Sequence, residues 1–146
     1  MSDTPRNLPQ LRAEEVTYFV TWRLNDREDS LSAAERSLVA DNLEHFNGER
    51  SRLAAYVVMD DHVHVVVFPL PPYTLGQILQ GWKSYTAHGI NRLRGASGTR
   101  WMKASYTRSL RNERELRATM QYILDNPQKR WPQVESYPWV KFFDVL

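Results

Sequence analysis

The sequence predicts an α+β fold of the ferredoxin-like type, in which an antiparallel sheet carries two helices on one face. Segments with alternating apolar residues predict strands, and segments with apolar residues at three- and four-residue spacing predict helices. The two kinds follow one another in the order β-α-β-β-α-β, and a further helix follows the last strand. RNA-recognition modules share this plan.

The first strand and the first helix are predicted from the N-terminal third of the chain. Residues Glu15–Leu24 alternate between two sets of side chains, as in a strand covered on one face and partly on the other. Ser32 is placed to cap a helix, because Glu35 follows three residues later and completes a capping-box pattern. Apolar residues then recur at helical spacing until Asn47-Gly48 ends the helix.

Residues 53–68 predict a β-hairpin whose tip is the pair Asp60-Asp61. Apolar residues typical of strands lie on both sides of this turn-forming pair. Because successive side chains of a strand point to opposite faces, His62 and His64 share one face of the second strand. Two imidazoles that face the same way are able to hold a metal ion, although histidines at this spacing are also common as buried core or interface residues.

The remaining predicted elements are two helices and a strand. Leu75–Leu93 carries apolar residues at helical spacing after a proline-rich breaker, and Gly95–Gly98 forms a flexible loop. Trp101–Leu110 predicts the last strand. Asn112–Glu115 is a capping-box pattern that opens the third helix, and Pro127 is expected to end it.

The whole chain, residues 1–146, is expected to form one domain, because this length suffices to bury most of the surface that the unfolded chain exposes. Its 42% hydrophobic and 25% charged residues are typical of a globular protein. We expect an N-terminal arm at residues 1–14 and an irregular C-terminal tail at residues 128–146, held to the body by its aromatic residues.

The chain contains no cysteine, so disulfides and thiolate metal sites are excluded. Histidine, carboxylate, amide and carbonyl ligands remain, and these suit a hard or borderline divalent cation. The sequence shows neither the pattern of a secretory leader nor an apolar run long enough to span a bilayer. It therefore predicts a cytoplasmic protein with no membrane partner.

The positive charge of the chain is concentrated in residues 81–130. This segment holds eleven Lys and Arg residues against three Asp and Glu residues, whereas the formal net charge of the whole chain is only +2. Aromatic residues lie among these cations, which is typical of a nucleic-acid surface that contacts phosphates and unstacked bases. A solvated helix face explains the charges equally well.

Tyr122 and Asn126 share one flank of the third helix because they are four residues apart. The core stripe beside them is predicted to be Leu116, Met120, Ile123 and Leu124. If the flank faces the histidine pair, the Asn126 amide oxygen would complete a metal site, and the metal would activate a phosphate for attack by the Tyr122 phenol. Alternatively, Tyr122 packs on the helix flank and Asn126 is simply a helix-terminal residue.

His62-Val63-His64 on a strand, followed about sixty residues later by Tyr122–Pro127 at the end of a helix, resembles the single-tyrosine His-hydrophobic-His (HUH) transposases of the insertion-sequence type. Within them, the chain is most similar to the branch called REP-associated tyrosine transposases. The resemblance runs from about Thr17 to Trp139. It includes Lys83-Ser84-Tyr85, Trp101, Arg111–Leu116 and Tyr137-Pro138-Trp139.

The resemblance implies a metal-dependent endonuclease and strand transferase that acts on single-stranded DNA, often folded as a hairpin, through a 5′-phosphotyrosine intermediate. Tyr122 would be the nucleophile. His62, His64 and Asn126 would bind the catalytic Mg²⁺ or Mn²⁺. Some relatives are monomers and others are homodimers, so either state is expected. The chain departs from the family pattern at Asp60-Asp61, Met102 and residues 128–131, and none of these changes removes a proposed catalytic group.

The DNA contacts are expected to come from the basic segment. The candidate phosphate contacts are Lys83, Arg108 and Arg111, and the candidate stacking residues are Trp82, Tyr85 and Trp101. Tyr85 is also a competing nucleophile, but its place three residues after Trp82 puts it near a core stripe, which favours Tyr122.

Three other functions remain open on the sequence. The first is a non-catalytic, domesticated module of the same fold that binds structured DNA or RNA. The second is a replication initiator or relaxase of the wider HUH group, although these usually have longer chains. The third is a metal-dependent phosphoesterase that uses both histidines without Tyr122.

Overall fold

The computed structural model describes residues 16–26 and 29–143. The elements are β1 (Thr17–Arg23), α1 (Ala33–His45), β2 (Ser51–Val58), β3 (His62–Pro69), α2 (Leu75–Arg94), β4 (Tyr106–Leu110), α3 (Glu113–Arg130) and β5 (Val140–Phe142). The predicted order is confirmed, and β5 is added to it. The predicted arm at residues 1–14 lies outside the described residues.

The strands form one antiparallel sheet in the order β4-β1-β3-β2-β5. Its first four strands have the arrangement of a ferredoxin-like sheet, so the predicted α+β class is confirmed. The register of β1 on β3 pairs Thr21 with His64 and Arg23 with His62. β1 therefore places Thr21 and Arg23 beside the histidine pair.

The helices cover both faces of the sheet. On one face α1 and α2 contribute Val39, Leu43 and Ile90 to a core with strand residues such as Trp22 and Val65. On the other face α3 buries Leu116, Met120 and Ile123 against strand residues that include Phe19, Val57 and Val66. Because His64 alternates with Val65 and lies on the same side as Val66, the histidine pair faces α3.

The helix starts follow the sequence, with one difference in detail. Ser32 accepts a hydrogen bond from the Glu35 amide, and the Glu35 carboxylate accepts one from the Ser32 amide, so the predicted capping box of α1 is confirmed. Asn112 likewise accepts from the Glu115 amide at the start of α3. The Glu115 carboxylate, however, accepts from the amide of Arg111, one residue before the cap, so α3 has an Asn cap without the reciprocal bond.

The predicted end of α3 at Pro127 is wrong, since the helix continues to Arg130. Proline removes one helical hydrogen bond because it has no N–H, but its carbonyl still accepts, here from the Trp131 amide. Arg130 also forms an ion pair with Asp60 at 2.7 Å, which holds the last turn to the hairpin. The loss of one backbone bond is thus offset by contacts outside the helix.

The predicted apolar stripe of α3 is wrong at one position. Leu124 is 47% exposed, because the buried stripe runs instead through Ile123 to Asn126 and Pro127. A buried amide thus takes the place expected for a leucine. This brings Asn126 to the side of α3 that faces the sheet.

The C-terminal tail is more regular than predicted. Residues 128–130 belong to α3, and β5 pairs with β2. Between them, the Tyr137 hydroxyl donates to the carbonyl of Val58 and the Trp139 indole donates to Ser37. The expectation that aromatic residues anchor the tail is therefore confirmed, whereas the absence of regular structure is not.

β4 is shorter than the strand predicted from the sequence. Trp101 lies before it as an isolated bridge to Leu24. No described helix combines the length and the apolar character needed to cross a membrane.

Candidate functional site

The histidine pair lies at the start of β3, beneath α3. The ring centroids of His62 and His64 are 4.6 Å apart and their planes are inclined by 74°. The alternation of the strand brings the rings to one face, as the sequence predicts. The rings lie close enough together to share one small ion.

His64 is buried and has one polar partner. Its Nδ1 lies 2.7 Å from the hydroxyl oxygen of Thr21, and its Nε2 is buried without a hydrogen-bond partner among the described residues. Burial, followed by the charges of His62 and Arg23, lowers the pKa of His64 to about 3. The ring is therefore neutral at pH 7, and in the tautomer with its proton on Nδ1 that N–H donates to the Thr21 hydroxyl and Nε2 presents a lone pair.

His62 is oriented by its neighbour in the chain. Its Nδ1 lies 2.6 Å from Oδ1 of Asp61, which leaves Nε2 available on the opposite side of the ring. Burial raises the pKa of Asp61, but the hydrogen bond from His62 and the nearby Arg130 and Arg23 outweigh burial, so the pKa is lowered. A carboxylate that accepts from the far nitrogen is a common support for a metal-binding histidine.

Tyr122 projects from α3 over the same place. Its ring centroid is 5.3 Å from that of His64 and 6.2 Å from that of Phe19. The side chain is 43% exposed, so a large substrate has access to its hydroxyl. The Nζ of Lys129 lies 5.1 Å from the centroid of the Tyr122 ring, which adds a positive charge beside the phenol. The structure thus brings Tyr122 and the histidine pair together.

Asn126 lies one turn after Tyr122 and is 8% exposed. Its Nδ2 donates to the carbonyl of Tyr122 at 3.4 Å, an orientation that leaves Oδ1 as an acceptor. Within residues 16–26 and 29–143, no group of three His, Cys, Asp or Glu side chains is arranged to hold a metal. The candidate donors predicted from the sequence remain the two imidazoles and the Asn126 amide, and a buried Nε2 of His64 without a hydrogen-bond partner among the described residues suits a divalent cation as its ligand.

The structure places Arg108 and Arg111 near α3. Arg108 lies on β4 opposite Phe19 and donates to the Thr119 hydroxyl at 3.4 Å. It lines a groove of about 420 Å³ that also includes Arg114 and Tyr122. Arg111 is 80% exposed and has only a long ion pair, of 3.5 Å, with Glu115.

Lys83 does not join this site. It lies on α2, across the sheet from α3, and its Nζ donates to the carbonyl oxygens of Met102 and Lys103 and to the hydroxyl of Ser105. Burial lowers the pKa of Lys83. All three of its donor hydrogens have partners, so this side chain holds the loop before β4.

The predicted stacking residues also lie on the face of α1 and α2. Trp82 and Trp101 are each 6% exposed and pack against Trp22, so they belong to the core. Tyr85 is 62% exposed, which contradicts the expectation that it lies near the core stripe. It nevertheless cannot act with the histidines, because the sheet lies between them. Tyr85 lines a groove of about 770 Å³ between α1 and α2, larger than the one at Tyr122 but remote from the histidines.

Three residues of the site are missed by the sequence reasoning. Asp61 was interpreted only as a turn residue, although an acid next to His62 is a visible signal. Thr21 has no such signal, because its contact depends on the register of β1 on β3. Tyr106, 54% exposed beside Phe19, is equally hidden, since the register of β4 places it there.

The structure has a ferredoxin-like sheet, and a histidine pair on it lies under a helix that carries a tyrosine. The resemblance to the HUH transposases implies this arrangement. The chain belongs to the family described as IS200-like transposases, whose sequence model matches residues 12–126. The resemblance inferred from the motifs is thereby confirmed.

Two solved structures share the fold. One is described as a REP-associated tyrosine transposase bound to a REP hairpin; it is 21% identical, has a TM-score of 0.73, and the match covers 96% of this chain and 82% of that chain. The other is a candidate transposase from Deinococcus radiodurans R1, 19% identical with a TM-score of 0.56, covering 82% of this chain and 97% of that one. No curated protein matches the chain significantly.

Proposed function

We propose that this protein is a metal-dependent endonuclease and strand transferase that acts on single-stranded, hairpin-forming DNA through a 5′-phosphotyrosine. The observation that carries the proposal is the position of the Tyr122 ring, 5.3 Å from the ring of a buried histidine. That histidine, His64, has an Nε2 with no other partner among the described residues. Membership of the IS200-like transposase family supports the same chemistry.

The cation would be Mg²⁺ or Mn²⁺, held by His62, His64 and Asn126. When bound, it polarises the scissile phosphate and compensates the charge that develops during the reaction. With each ring proton on Nδ1, Thr21 and Asp61 would each accept a hydrogen bond from one ring, and both Nε2 atoms would present lone pairs. These three donors alone would not fill the coordination sphere of Mg²⁺ or Mn²⁺, so phosphate oxygens could also bind the cation.

Tyr122 is the nucleophile in this proposal. Its phenolic oxygen forms a bond to phosphorus, the bond from phosphorus to the 3′ oxygen breaks, the phenolic proton is lost to water, and the leaving oxygen becomes a 3′-hydroxyl. Lys129 stabilises the negative charge on the phenol, because its ammonium group lies 5.1 Å from the ring centroid. The half-exposed position of Tyr122 allows a DNA strand to approach in line.

The covalent intermediate allows the strands to be rejoined without a nucleotide cofactor. A second 3′-hydroxyl attacks the phosphotyrosine, the bond to Tyr122 breaks, and a new phosphodiester forms. Cleavage and transfer are therefore the same reaction in two directions. The enzyme would act as a monomer or as a homodimer.

Hairpin DNA is the proposed partner. The similar structure is of a transposase bound to a REP hairpin, which supports this substrate class for the present chain. Arg108 and Arg111 are the proposed phosphate contacts, because both are exposed on the α3 side. Lys83 is no longer proposed, because its ammonium group already has three partners.

The decisive experiment incubates the protein with a labelled single-stranded hairpin DNA and Mn²⁺. We expect a protein–DNA band that resists denaturation, and we expect Tyr122→Phe to abolish it. Tyr85→Phe is the matched control that keeps the band, since Tyr85 is exposed and lies across the sheet from the histidines.

The same experiment separates the alternatives. Cleavage that survives Tyr122→Phe would indicate a phosphoesterase that uses the histidines alone. Salt-dependent hairpin binding with no cleavage in Mg²⁺ or Mn²⁺ would indicate the non-catalytic binding module.

A further inference from the structure

The last turn of α3 is fastened to the tip of the β2–β3 hairpin. Nη2 of Arg130 lies 2.7 Å from Oδ2 of Asp60, and Nη1 lies 3.8 Å from Oδ2 of Asp61. The Asp60 side chain is 17% exposed and the Arg130 side chain 47% exposed, so the pair is only partly shielded from solvent. One guanidinium group thus contacts both acids of the tip.

Asp61 connects this pair to the candidate metal site. Its Oδ2 faces Arg130, whereas its Oδ1 accepts from Nδ1 of His62 at 2.6 Å. An unbroken series of contacts therefore runs from α3 through Asp61 to His62. Tyr122 lies eight residues before Arg130 on the same helix, about 12 Å along its axis.

The ion pair between Arg130 and Asp60 matters because α3 lacks a backbone hydrogen bond between Tyr122 and Arg130. Pro127 contributes no N–H, so the helix lacks one internal hydrogen bond just after Tyr122 and Asn126. The hydroxyl of Tyr122 is useful only if α3 sits at the correct height above the histidine pair. A displacement of about 1 Å at a reacting group is enough to slow catalysis strongly.

We propose that Arg130 is a positioning residue, which acts through Asp60 to hold Tyr122 over the histidine pair, and that Asp61 orients His62 for the cation. The inference rests on the proposed function. It assigns different tasks to the two neighbouring acids: Asp60 fixes the helix, and Asp61 serves the metal. This division of labour makes the proposal testable.

The first arm measures Mn²⁺ binding by calorimetry on the full chain without DNA. Asp61→Asn is expected to weaken Mn²⁺ binding by about ten- to a hundredfold, because a neutral amide is a weaker acceptor than a carboxylate for the Nδ1–H of His62. Asp60→Asn is expected to change the affinity by less than about threefold, since the ion pair of Asp60 is with Arg130 and not with a histidine. Arg130→Gln is expected to have a smaller effect than Asp61→Asn, because it removes only the 3.8 Å contact to Asp61 and leaves His62 its acceptor. Equal affinities for Asp61→Asn and the wild type would overturn the role of Asp61.

The second arm measures the single-turnover rate of adduct formation with saturating hairpin DNA and Mn²⁺. Asp60→Asn and Arg130→Gln are each expected to slow the reaction by roughly tenfold. Because both remove the same contact, the double variant should be no slower than either single one. Arg130→Lys restores the charge and should recover part of the rate.

The comparison with Asp60→Asn tests whether Arg130 acts by binding DNA directly. If Arg130 contacted phosphate, Arg130→Gln would weaken hairpin binding, while Asp60→Asn would leave the rate unchanged. That pair of results would overturn the positioning role of Arg130 and Asp60. Thermal unfolding of each variant shows whether the protein remains folded, and Arg130→Lys decides the point if Arg130→Gln does not.

The outcome also distinguishes this inference from the proposed function. A wild-type protein that forms no adduct overturns both. The other outcome is a Tyr122-dependent adduct that forms at the same rate in the wild type, Asp60→Asn and Arg130→Gln. That result overturns only the positioning role of Arg130 and Asp60.

Discussion

Thr21 is the hydrogen-bond partner of the most buried histidine among the described residues. Its hydroxyl oxygen lies 2.7 Å from Nδ1 of His64, on the side of the ring away from the unpartnered Nε2. Removing this partner leaves Nδ1 unsatisfied in a buried place and frees the proton to move to Nε2. If Nε2 binds a cation, the ring proton is on Nδ1 and the Thr21 hydroxyl accepts its hydrogen bond.

We expect Thr21→Val to weaken Mn²⁺ binding by about ten- to a hundredfold, because the replacement keeps the shape of the side chain but removes the second-layer hydrogen bond. Calorimetric titration of the protein with Mn²⁺ measures the change. The imidazole signals of His64 in a nitrogen-15 NMR spectrum should report the altered tautomer at the same time.

Thr17→Val is the matched control, since Thr17 lies on the same strand and its buried hydroxyl has no hydrogen-bond partner among the described residues. Mn²⁺ affinity should be unchanged in this variant, and stability unchanged or slightly raised. A loss of affinity as large as in Thr21→Val would show that β1 acts through general packing.

The residues of the site differ in how far the sequence reveals them. His62 and His64 were expected on one face, because strand alternation is a local property. The pairing of Thr21 with His64 joins residues 43 positions apart and follows from the strand register, which no local pattern states. Leu124 was misplaced because a buried amide and a proline occupy the stripe where an apolar residue was expected.

Among the elements, α1 and α2 are joined at their ends by an ion network around Arg94. The guanidinium of Arg94 contacts Glu35 at 2.6 Å and Asp29 at 2.8 Å. Glu35 is also part of the capping box of α1, and its side chain is 6% exposed. One carboxylate therefore serves the start of α1 and the end of α2 together.

We expect Glu35→Gln to lower the free energy of unfolding at pH 7 by about 1.5–3 kcal/mol, the usual value for a hydrogen bond to a charged partner. The hydrogen bond with Arg94 holds the pKa of Glu35 below its ordinary value of 4.5. The stabilisation is therefore complete above pH 4.5 and is lost as the pH falls through the lower value of the folded state.

Urea unfolding between pH 7 and pH 3 tests this expectation. The difference between the wild type and Glu35→Gln should shrink as the solution becomes acidic. Glu135→Gln removes an exposed carboxylate in the C-terminal tail and should show no such dependence. A difference that grows towards low pH would contradict the assignment.

Element boundaries were predictable where the signal is local. The Ser32 and Asn112 caps mark the helix starts correctly, because a cap is a contact between residues three apart. The end of α3 was not predictable, because contacts with the distant hairpin tip outweigh the effect of Pro127. β5 was missed because three residues carry too little alternation to be recognised.

For the whole molecule, the charge of residues 81–130 is divided among different tasks. Arg94 and Arg130 are in internal ion pairs, and Lys83 holds the loop before β4. The sequence shows where the Lys and Arg residues lie along the chain but not which of them form contacts within the folded protein. The electrostatic footprint available to DNA is therefore smaller than the composition indicates.

We expect Arg108→Gln to reduce the salt dependence of hairpin binding, with the slope of log K against log salt falling by about 1. Lys83→Gln should leave the slope unchanged and instead lower the free energy of unfolding by about 1 kcal/mol, because three oxygens of the loop before β4 lose their hydrogen-bond donor. Fluorescence anisotropy at several salt concentrations and urea unfolding measure the two effects. A slope that falls in Lys83→Gln and not in Arg108→Gln would contradict these roles.

The short β5 has a consequence for how this protein behaves at high concentration. Sheet edges are the usual starting points of aggregation, since their free amides and carbonyls accept strands from other molecules. β5 covers this side of β2, extends over only three residues and carries Lys141, which forms an ion pair with Glu44. A brief, charged border of this kind is a poor template for fibril growth.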